Sequence, residues 1–270
     1  MSCAPSPRRI SVGLCQIRDS ARGIVLALTL CRGKNVADGI YVGMSAAMGR
    51  AMQLDAIADN LANIESPGFK GVRPAFSSFL PSGPTDKVLS GAVATTLDMR
   101  PGTTQTTDSP TDVIPDGDAF LAVQMASGQT AYTRNGHVEV SPDGVLQIAG
   151  LPVLDTAGGP IIVPPGSDVK IETTGEVEVG SSPIATLGLW SGQGPMDRVG
   201  SSLMMPTGGT QMTQVEGGTV QVGQLELGNV TALESTVQMI GAQRNYELAM
   251  QAIQTYRQLD QRAVEIGRTR

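Results

Sequence analysis

Few side chains in this 270-residue chain are placed to do chemistry. His137 is the only histidine, and it follows Asn135-Gly136, a pair that favours a two-residue hairpin. A strand-surface residue is expected there rather than a general base. The three cysteines, Cys3, Cys15 and Cys31, all fall within the first 35 residues. The rest of the chain therefore lacks the donors for zinc or thiol chemistry. Asp116 and Asp118 straddle Gly117 in a calcium-like spacing, but no twelve-residue loop ending in glutamate follows. Turn carboxylates are expected. No serine occupies a G-x-S-x-G elbow, and Gly158-Gly159 precedes proline as a turn rather than a phosphate loop. Arg244 and Glu247, three positions apart on a helical pattern, read as a surface ion pair. These residues predict no catalytic site, no metal and no cofactor.

The composition points the same way. Aromatic residues make up only 3% of the chain, so a core must be assembled from many small contacts. Hydrophobic residues at 40% are too many for a disordered chain. No run of about 18 apolar residues exists to span a membrane. Beyond residue 35 the chain holds 13 basic and 24 acidic side chains, which argues against a nucleic-acid partner.

Residues 1–36 look foreign to the rest. Six basic side chains (Arg8, Arg9, Arg18, Arg22, Arg32, Lys34) face a single acid, Asp19. Arg18 and Arg22 precede the apolar run 23–30, as in a secretory signal, and Cys31 follows as in a weak lipoprotein box. That run is short, Leu30 stands where a small residue is needed, and no A-x-A site follows. The abrupt change in charge and cysteine content favours an upstream extension, with Val36 as the true first residue.

The elements around this chemistry-poor middle are helical. From Asp38, a good N-cap type, apolar or small residues recur at Ile40, Met44, Ala47, Ala51, Leu54, Ala58 and Leu61. That 4-3 spacing is a heptad seam, with Met48 and Met52 beside it. Ser66-Pro67-Gly68 is expected to end the helix. From about Val230 to Gly267 a second helix shows two seams. One is Val230, Leu233, Val237 and Ile240; the other is Met239, Ala242, Tyr246, Ala249, Ile253, Tyr256 and Ala263, interrupted by Asp260. Two seams on one helix imply partners on more than one side.

Between the helices, short β-rich runs alternate with turn clusters such as Ser127-Gly128, Asn135-Gly136 and Ser141-Pro142-Asp143-Gly144. The fold class expected is α+β. The terminal helices (37–70 and 223–270) pair as a coiled-coil-like domain, and 118–222 form an antiparallel sandwich or open barrel. Residues 71–117 read as an extended connector.

The segment Ala58-Asp59-Asn60-Leu61-Ala62-Asn63-Ile64-Glu65-Ser66-Pro67-Gly68-Phe69-Lys70 resembles the signature of bacterial flagellar rod and hook proteins, A-N-N-[LIV]-A-N-x-x-T-x-G-[FY]-[KR]. Gly117–Val123 with Tyr132–Gly136, and Asn229-Val230 with Glu234, Gln243-Arg244 and Tyr246-Glu247, are similar to that family's central and C-terminal blocks. The likeness covers residues 38–270. Departures are Asp59 for asparagine, Ser66-Pro67 for Thr-x, and Ala119 for glycine.

The resemblance implies a structural subunit of the flagellar basal-body rod, exported by the flagellar type III apparatus and polymerising helically in the periplasm. Its partners would be copies of itself, axial neighbours in the rod and the export apparatus, with no nucleic acid or small-molecule substrate. A short chain without an insertion after the first helix fits a proximal rod subunit; the alternatives are a distal rod protein or a secreted or lipid-anchored periplasmic binding module. The residues expected at the assembly interface are Met44, Ala47, Ala51, Leu54, Ala58, Asn60, Leu61, Asn63, Gly68, Phe69, Asn229, Val237, Ile240, Arg244, Tyr246 and Ile253.

Overall fold

The structure, a computed structural model, describes residues 36–79 and 89–268. The expectations for residues 1–35, including the three cysteines, lie outside the described residues. Two long helices bracket a β-rich middle, so the chain is α+β. Helix α1 is Val36–Ala62 and helix α2 is Ala232–Arg268. At about 1.5 Å per residue they reach ~40 and ~55 Å. Thr231 caps α2, its Oγ1 accepting the Glu234 N–H, and Glu234 also places a negative charge on the first turn. Helix α1 stops at Ala62, four residues short of the Ser66 expected from the proline; a run of turns carries the chain on to Gly68.

The helices lie side by side and antiparallel. Gly39 faces Tyr256, Gly43 faces Ile253, and at the other end Ile57 and Asn60 lie across from Ser235 and Gln238. On α2 the inward row is the second seam: Ser235, Ala242 and Ile253 are buried, and Met239, Tyr246 and Ala249 are half-buried. On α1 the row facing α2 runs Gly39, Gly43, Ala46, Ile57 and Asn60, one residue earlier than the heptad seam in the sequence. One residue is a rotation of about 100° on a helix. Seam residues Met44 and Ala58 are consequently exposed.

The middle begins with strands β1 (Val72–Phe79) and β2 (Leu89–Leu97), paired antiparallel and packed on α1. Strands β3 (Thr104–Thr106) and β4 (Val113–Pro115) follow, then β5 (Phe120–Gln124) and β6 (Thr130–Thr133). Next come β7 (Glu139–Val140), β8 (Leu146–Ile148), β9 (Leu151–Pro152), β10 (Val169–Ile171), β11 (Glu176–Val179) and β12 (Ser182–Thr186). The last are β13 (Leu189–Ser191), β14 (Met196–Arg198), β15 (Leu203–Pro206), β16 (Thr213–Gln214), β17 (Val220–Val222) and β18 (Gln224–Glu226). The largest sheet orders β14-β15-β6-β5-β13-β16, with β10-β11-β12 and β7-β8-β9 beside it. Strands β17 and β18 return to pair with β4 and β3, so the stretch 71–117 is extended but tied to the chain end that leads into α2.

Strand β5 shows why the middle is so apolar. Leu121 and Val123 point into one core with Ile148, Val153 and Leu187, while Phe120 and Ala122 point into another with Tyr132, Leu154 and Met204. A strand covered on both faces loses the polar half of its alternation. Ser127-Gly128 makes the β5–β6 turn, with Gly128 at φ 81° and its N–H bonded to the Met125 carbonyl at 2.9 Å. Ser141–Gly144 closes likewise, the Gly144 N–H reaching the Ser141 carbonyl at 2.8 Å. Asn135-Gly136 does not form the hairpin expected of it, because β6 pairs with β5 and β15 and not with β7. Gly136 instead lies so close to β4 that a Cβ would sit 1.5 Å from the Val113 carbonyl oxygen. The glycine is there for that approach.

Candidate assembly interface

The signature after α1 folds inward. Gly68 adopts φ 67° and lies against the Arg134–Asn135 backbone, where a Cβ would come within 2.1 Å of the Asn135 nitrogen. This turn drives Phe69 into the β body, where it is fully buried. Asn60 pairs with the Val72 backbone as a neighbouring strand would: its Nδ2 donates to the Val72 carbonyl (2.9 Å) and its Oδ1 accepts the Val72 N–H (2.8 Å). Asn229 mirrors it before α2, accepting the Gly71 N–H (2.8 Å) and donating to the Asp98 and Arg100 carbonyls (2.6 and 3.0 Å). Asn63 Nδ2 donates to the Asp59 carbonyl at 2.9 Å, finishing the helix end. Two asparagines therefore satisfy the backbone where both helices meet the β body.

Beneath them lies an ionic knot that sequence reading did not find. Lys70, Arg134 and Glu226 are buried together. Lys70 Nζ donates to Glu226 Oε1 at 2.7 Å and to the Arg100 carbonyl at 2.8 Å. Arg134 donates to Glu226 Oε2 through Nε (2.8 Å) and to the Gly117 and Ala119 carbonyls through Nη1 (2.7 Å each). The Gly102 N–H adds a further bond to Glu226 at 3.0 Å. Burial alone would push the Glu226 carboxyl pKa up; the Lys70 and Gly102 hydrogen bonds and the charges of Arg134 and Lys70 outweigh it and hold it below its usual value. Burial lowers the Lys70 pKa, despite the pull of Glu226. The three residues come from the root of α1, the β body and the root of α2, so the knot fastens all three together.

These contacts divide the expected interface residues. Asn60, Gly68, Phe69, Ala47 and Ile253 are buried within the subunit. Ala51, Leu54, Leu61, Asn63, Asn229 and Tyr246 are half-buried. Met44, Ala58, Val237, Ile240 and Arg244 face solvent. Around the exposed ones the helices carry apolar rows on the sides turned away from each other: Tyr41, Met44, Met48 and Met52 on α1, and Leu233, Val237, Ile240 and Leu248 on α2. Met48 and Val237 are each 62% exposed.

The chemically suggestive residues are accounted for structurally. His137 bridges two carboxylates, Nδ1 to Asp112 at 2.7 Å and Nε2 to Glu139 at 3.1 Å. Asp116 caps its own turn through the Gly117 N–H (3.0 Å) and accepts the Thr219 hydroxyl (3.2 Å). Arg244 and Glu247 are both exposed, and among the described residues no ion pair joins them; two long solvated side chains gain little by holding one geometry. Trp190, the one tryptophan, packs edge-on against Tyr132 at 6.2 Å. Among the described residues no helix is long and apolar enough to cross a membrane, and no cluster of three or more His, Cys, Asp or Glu could hold a metal.

Three family models match the chain in order. "Flagella basal body rod protein" covers residues 40–70, "Flagellar hook protein FlgE/F/G D1 domain" covers 115–179, and "Flagellar basal body rod FlgEFG protein C-terminal" covers 221–266. The chain is 34% identical over 234 residues to the flagellar basal-body rod protein FlgF of Escherichia coli K12, spanning 79% of this chain and 92% of the relative. It is 32% identical over 247 residues to FlgF of Salmonella typhimurium, spanning 84% and 97%. To the rod protein FlgG of Borreliella burgdorferi it is 28% identical over 253 residues, spanning 80% and 93%.

Proposed function

This chain belongs to the flagellar basal-body rod protein family and is a structural subunit of the flagellar rod, and from that premise we propose that it is a proximal rod subunit of the FlgF type whose paired helices are its polymerisation surface. The observation that carries the proposal is the outward apolar rows on α1 and α2. Each helix already spends one face on the other, yet each keeps a second apolar row in solvent, and such rows mark protein contacts. A rod needs contacts that join different surfaces of successive copies and do not close. Two unlike rows on opposite sides of one helix pair meet that need.

In this reading the exposed members of the expected set, Met44, Ala58, Val237, Ile240 and Arg244, touch neighbours directly. The half-buried Ala51, Leu54, Leu61 and Tyr246 border those contacts. Ala47 is buried on α1, and Ile253, set against Gly43, holds the helices to one another as a coiled-coil-like pair, the domain formed by 37–70 and 223–270. Asn60, Asn63, Gly68, Phe69 and Asn229 act indirectly, setting how that pair is carried on the sandwich-like β body of 118–222 and its connector, 71–117. The subunit is non-catalytic, with no cofactor, nucleic acid or small-molecule partner; it leaves the cytoplasm through the flagellar export apparatus and joins copies of itself and axial neighbours. Peptide mass spectrometry of purified hook–basal bodies tests this. Recovery of peptides from this chain is expected; their absence from intact basal bodies of a motile strain overturns the proposal.

A further inference from the structure

Arg198 ends β14, the edge strand of the largest sheet, and is the point at which that sheet reaches α1. Its Nη2 is paired with Asp59 Oδ2 on α1. Its guanidinium carbon lies 4.9 Å from the centre of the Phe69 ring, within the range of a cation–π contact. The arginine is largely covered, with 15% of its side chain exposed, and its Nη1 is buried with no hydrogen-bond partner among the described residues. Burial also draws its pKa down. A cation held under those terms is kept by its two remaining contacts, the Asp59 carboxylate and the Phe69 face.

Asp59 is itself fixed, because Asn63 Nδ2 donates to its Oδ1 at 3.1 Å. It sits where the family pattern carries asparagine, so the negative charge that answers Arg198 is a departure from that pattern. Asp59 also continues the outward row of α1 at helical spacing: Tyr41, Met44, Met48, Met52, Asp55, Asp59. The upper end of that row is open. The lower end borders a cleft of about 530 Å³ between α1, the β2 end Thr95–Leu97 and the β14 residues Met196–Arg198. Across that cleft the Asp59–Arg198 ion pair joins α1 to the β body.

We infer that Arg198 is a positioning residue that, through Asp59 and Phe69, sets the tilt of the helix pair on the β body and so the direction in which α1 offers its open apolar row to a neighbouring copy. The inference rests on the assembly role proposed above. The knot of Lys70, Arg134 and Glu226 fastens the roots of the helices; Arg198 acts off that axis, against the side of α1. The β1–β2 hairpin packs on α1 as well, and the Asp59–Arg198 pair ties that side of the helix to the largest sheet of the β body.

The test uses the full chain with Cys3, Cys15 and Cys31 changed to serine and spin labels on M48C and D143C, one on α1 and one on an exposed turn of the β body. Pulsed electron paramagnetic resonance then reads the distance between them. The parent is expected to give one narrow distance, and R198A and the near-isosteric D59N a broadened or displaced one, while far-UV circular dichroism stays unchanged. The charge exchange D59R/R198D is expected to restore a narrow peak. An unchanged distance in both D59N and R198A overturns the inference, and D59N decides the matter if R198A does not fold. In cells lacking the native subunit, R198A at normal protein levels is expected to lose swimming. Normal swimming despite a displaced distance overturns the link to assembly. Absence of the parent chain from basal bodies would instead count against the assembly role, leaving the distance result to stand by itself.

Discussion

Lys70 and Glu226 stand 156 positions apart in the chain, yet their side chains form a buried ion pair 2.7 Å long. Lys70 lies just beyond the turn that ends α1, and Glu226 ends β18 just before α2. The pair therefore joins the roots of the two helices, and Arg134 adds the β body to the same carboxylate. One acid answers two bases, and all three side chains are buried, so the knot is stable only while that acid is intact.

Replacing Glu226 with Gln leaves Lys70 and Arg134 as neighbouring buried cations. Breaking a buried pair from one side costs about 3–5 kcal/mol. Urea unfolding of Glu226→Gln is expected to show a loss of that order at pH 7. A loss below ~1 kcal/mol would mean that water reaches the knot and the carboxylate is not its keystone.

The same carboxylate sets the response to acid. Its folded-state pKa lies below the ordinary value of 4.5. Its stabilisation is then fully present above about pH 4.5 and is lost as pH falls through the folded value. Unfolding free energy of the parent is expected to fall steeply below pH 4.5, and more shallowly in Glu226→Gln. Equal slopes for the two proteins would assign acid sensitivity to other groups.

His137 works in the opposite sense. The hydrogen bond His137 donates to Asp112, with the charges of Asp112 and Glu139, raises its pKa above 6.5 against the opposing effect of burial. The stabilisation is complete below about pH 6.5 and is lost as pH rises through the folded value. Between pH 6 and pH 8 the parent should therefore lose a little stability that His137→Gln does not. The half-exposed ring keeps the effect small. A parent whose stability is flat across that interval would show that the two carboxylates do not favour the charged ring.

The sequence made some of this legible and hid the rest for physical reasons. The inward row of α2 could be read because Ala242, Tyr246, Ala249 and Ile253 are apolar or small at heptad spacing. The inward row of α1 could not, because its upper part is built on Gly39 and Gly43. Hydrophobic periodicity does not count glycine, yet these two admit Tyr256 and Ile253 so closely that a Cβ would lie 2.7 Å from either side chain. The signature residues at the end of α1 announced a turn, and Gly68 has the positive φ expected of it. What that turn packs against was not legible, since Arg134, Arg198 and Glu226 lie far along the chain and resemble ordinary surface charges until the fold brings them together.

Gly68→Ala tests that turn. A left-handed φ costs a non-glycine residue about 1–2 kcal/mol, and the added Cβ would collide with the backbone of Asn135, which cannot swing aside. Backbone displacement in a packed site adds about 1–3 kcal/mol. Thermal melts are expected to show the variant markedly less stable, with slower α1–β body docking visible as faster amide exchange at Val72, whose N–H is held by Asn60. Parent-like melting would place the turn's importance elsewhere.

Two substitutions of the same chemical kind separate packing inside the subunit from contact between subunits. Val237 is exposed on the outer face of α2, whereas Ala242, five residues later, is buried on its inner face. Val237→Glu adds a charge in water and should change monomer stability by no more than about 0.5 kcal/mol. In an assembled rod the same charge would be buried without a partner, which costs several kcal/mol per contact. Cells carrying Val237→Glu are therefore expected to make normal amounts of subunit and no swimming rods. Ala242→Glu should instead destabilise the isolated subunit, because its carboxylate is forced between the helices. If Val237→Glu swims normally, the outer row of α2 is not an assembly surface. If both variants melt alike, the inner and outer faces have been assigned wrongly and the pairing of α1 with α2 must be redrawn.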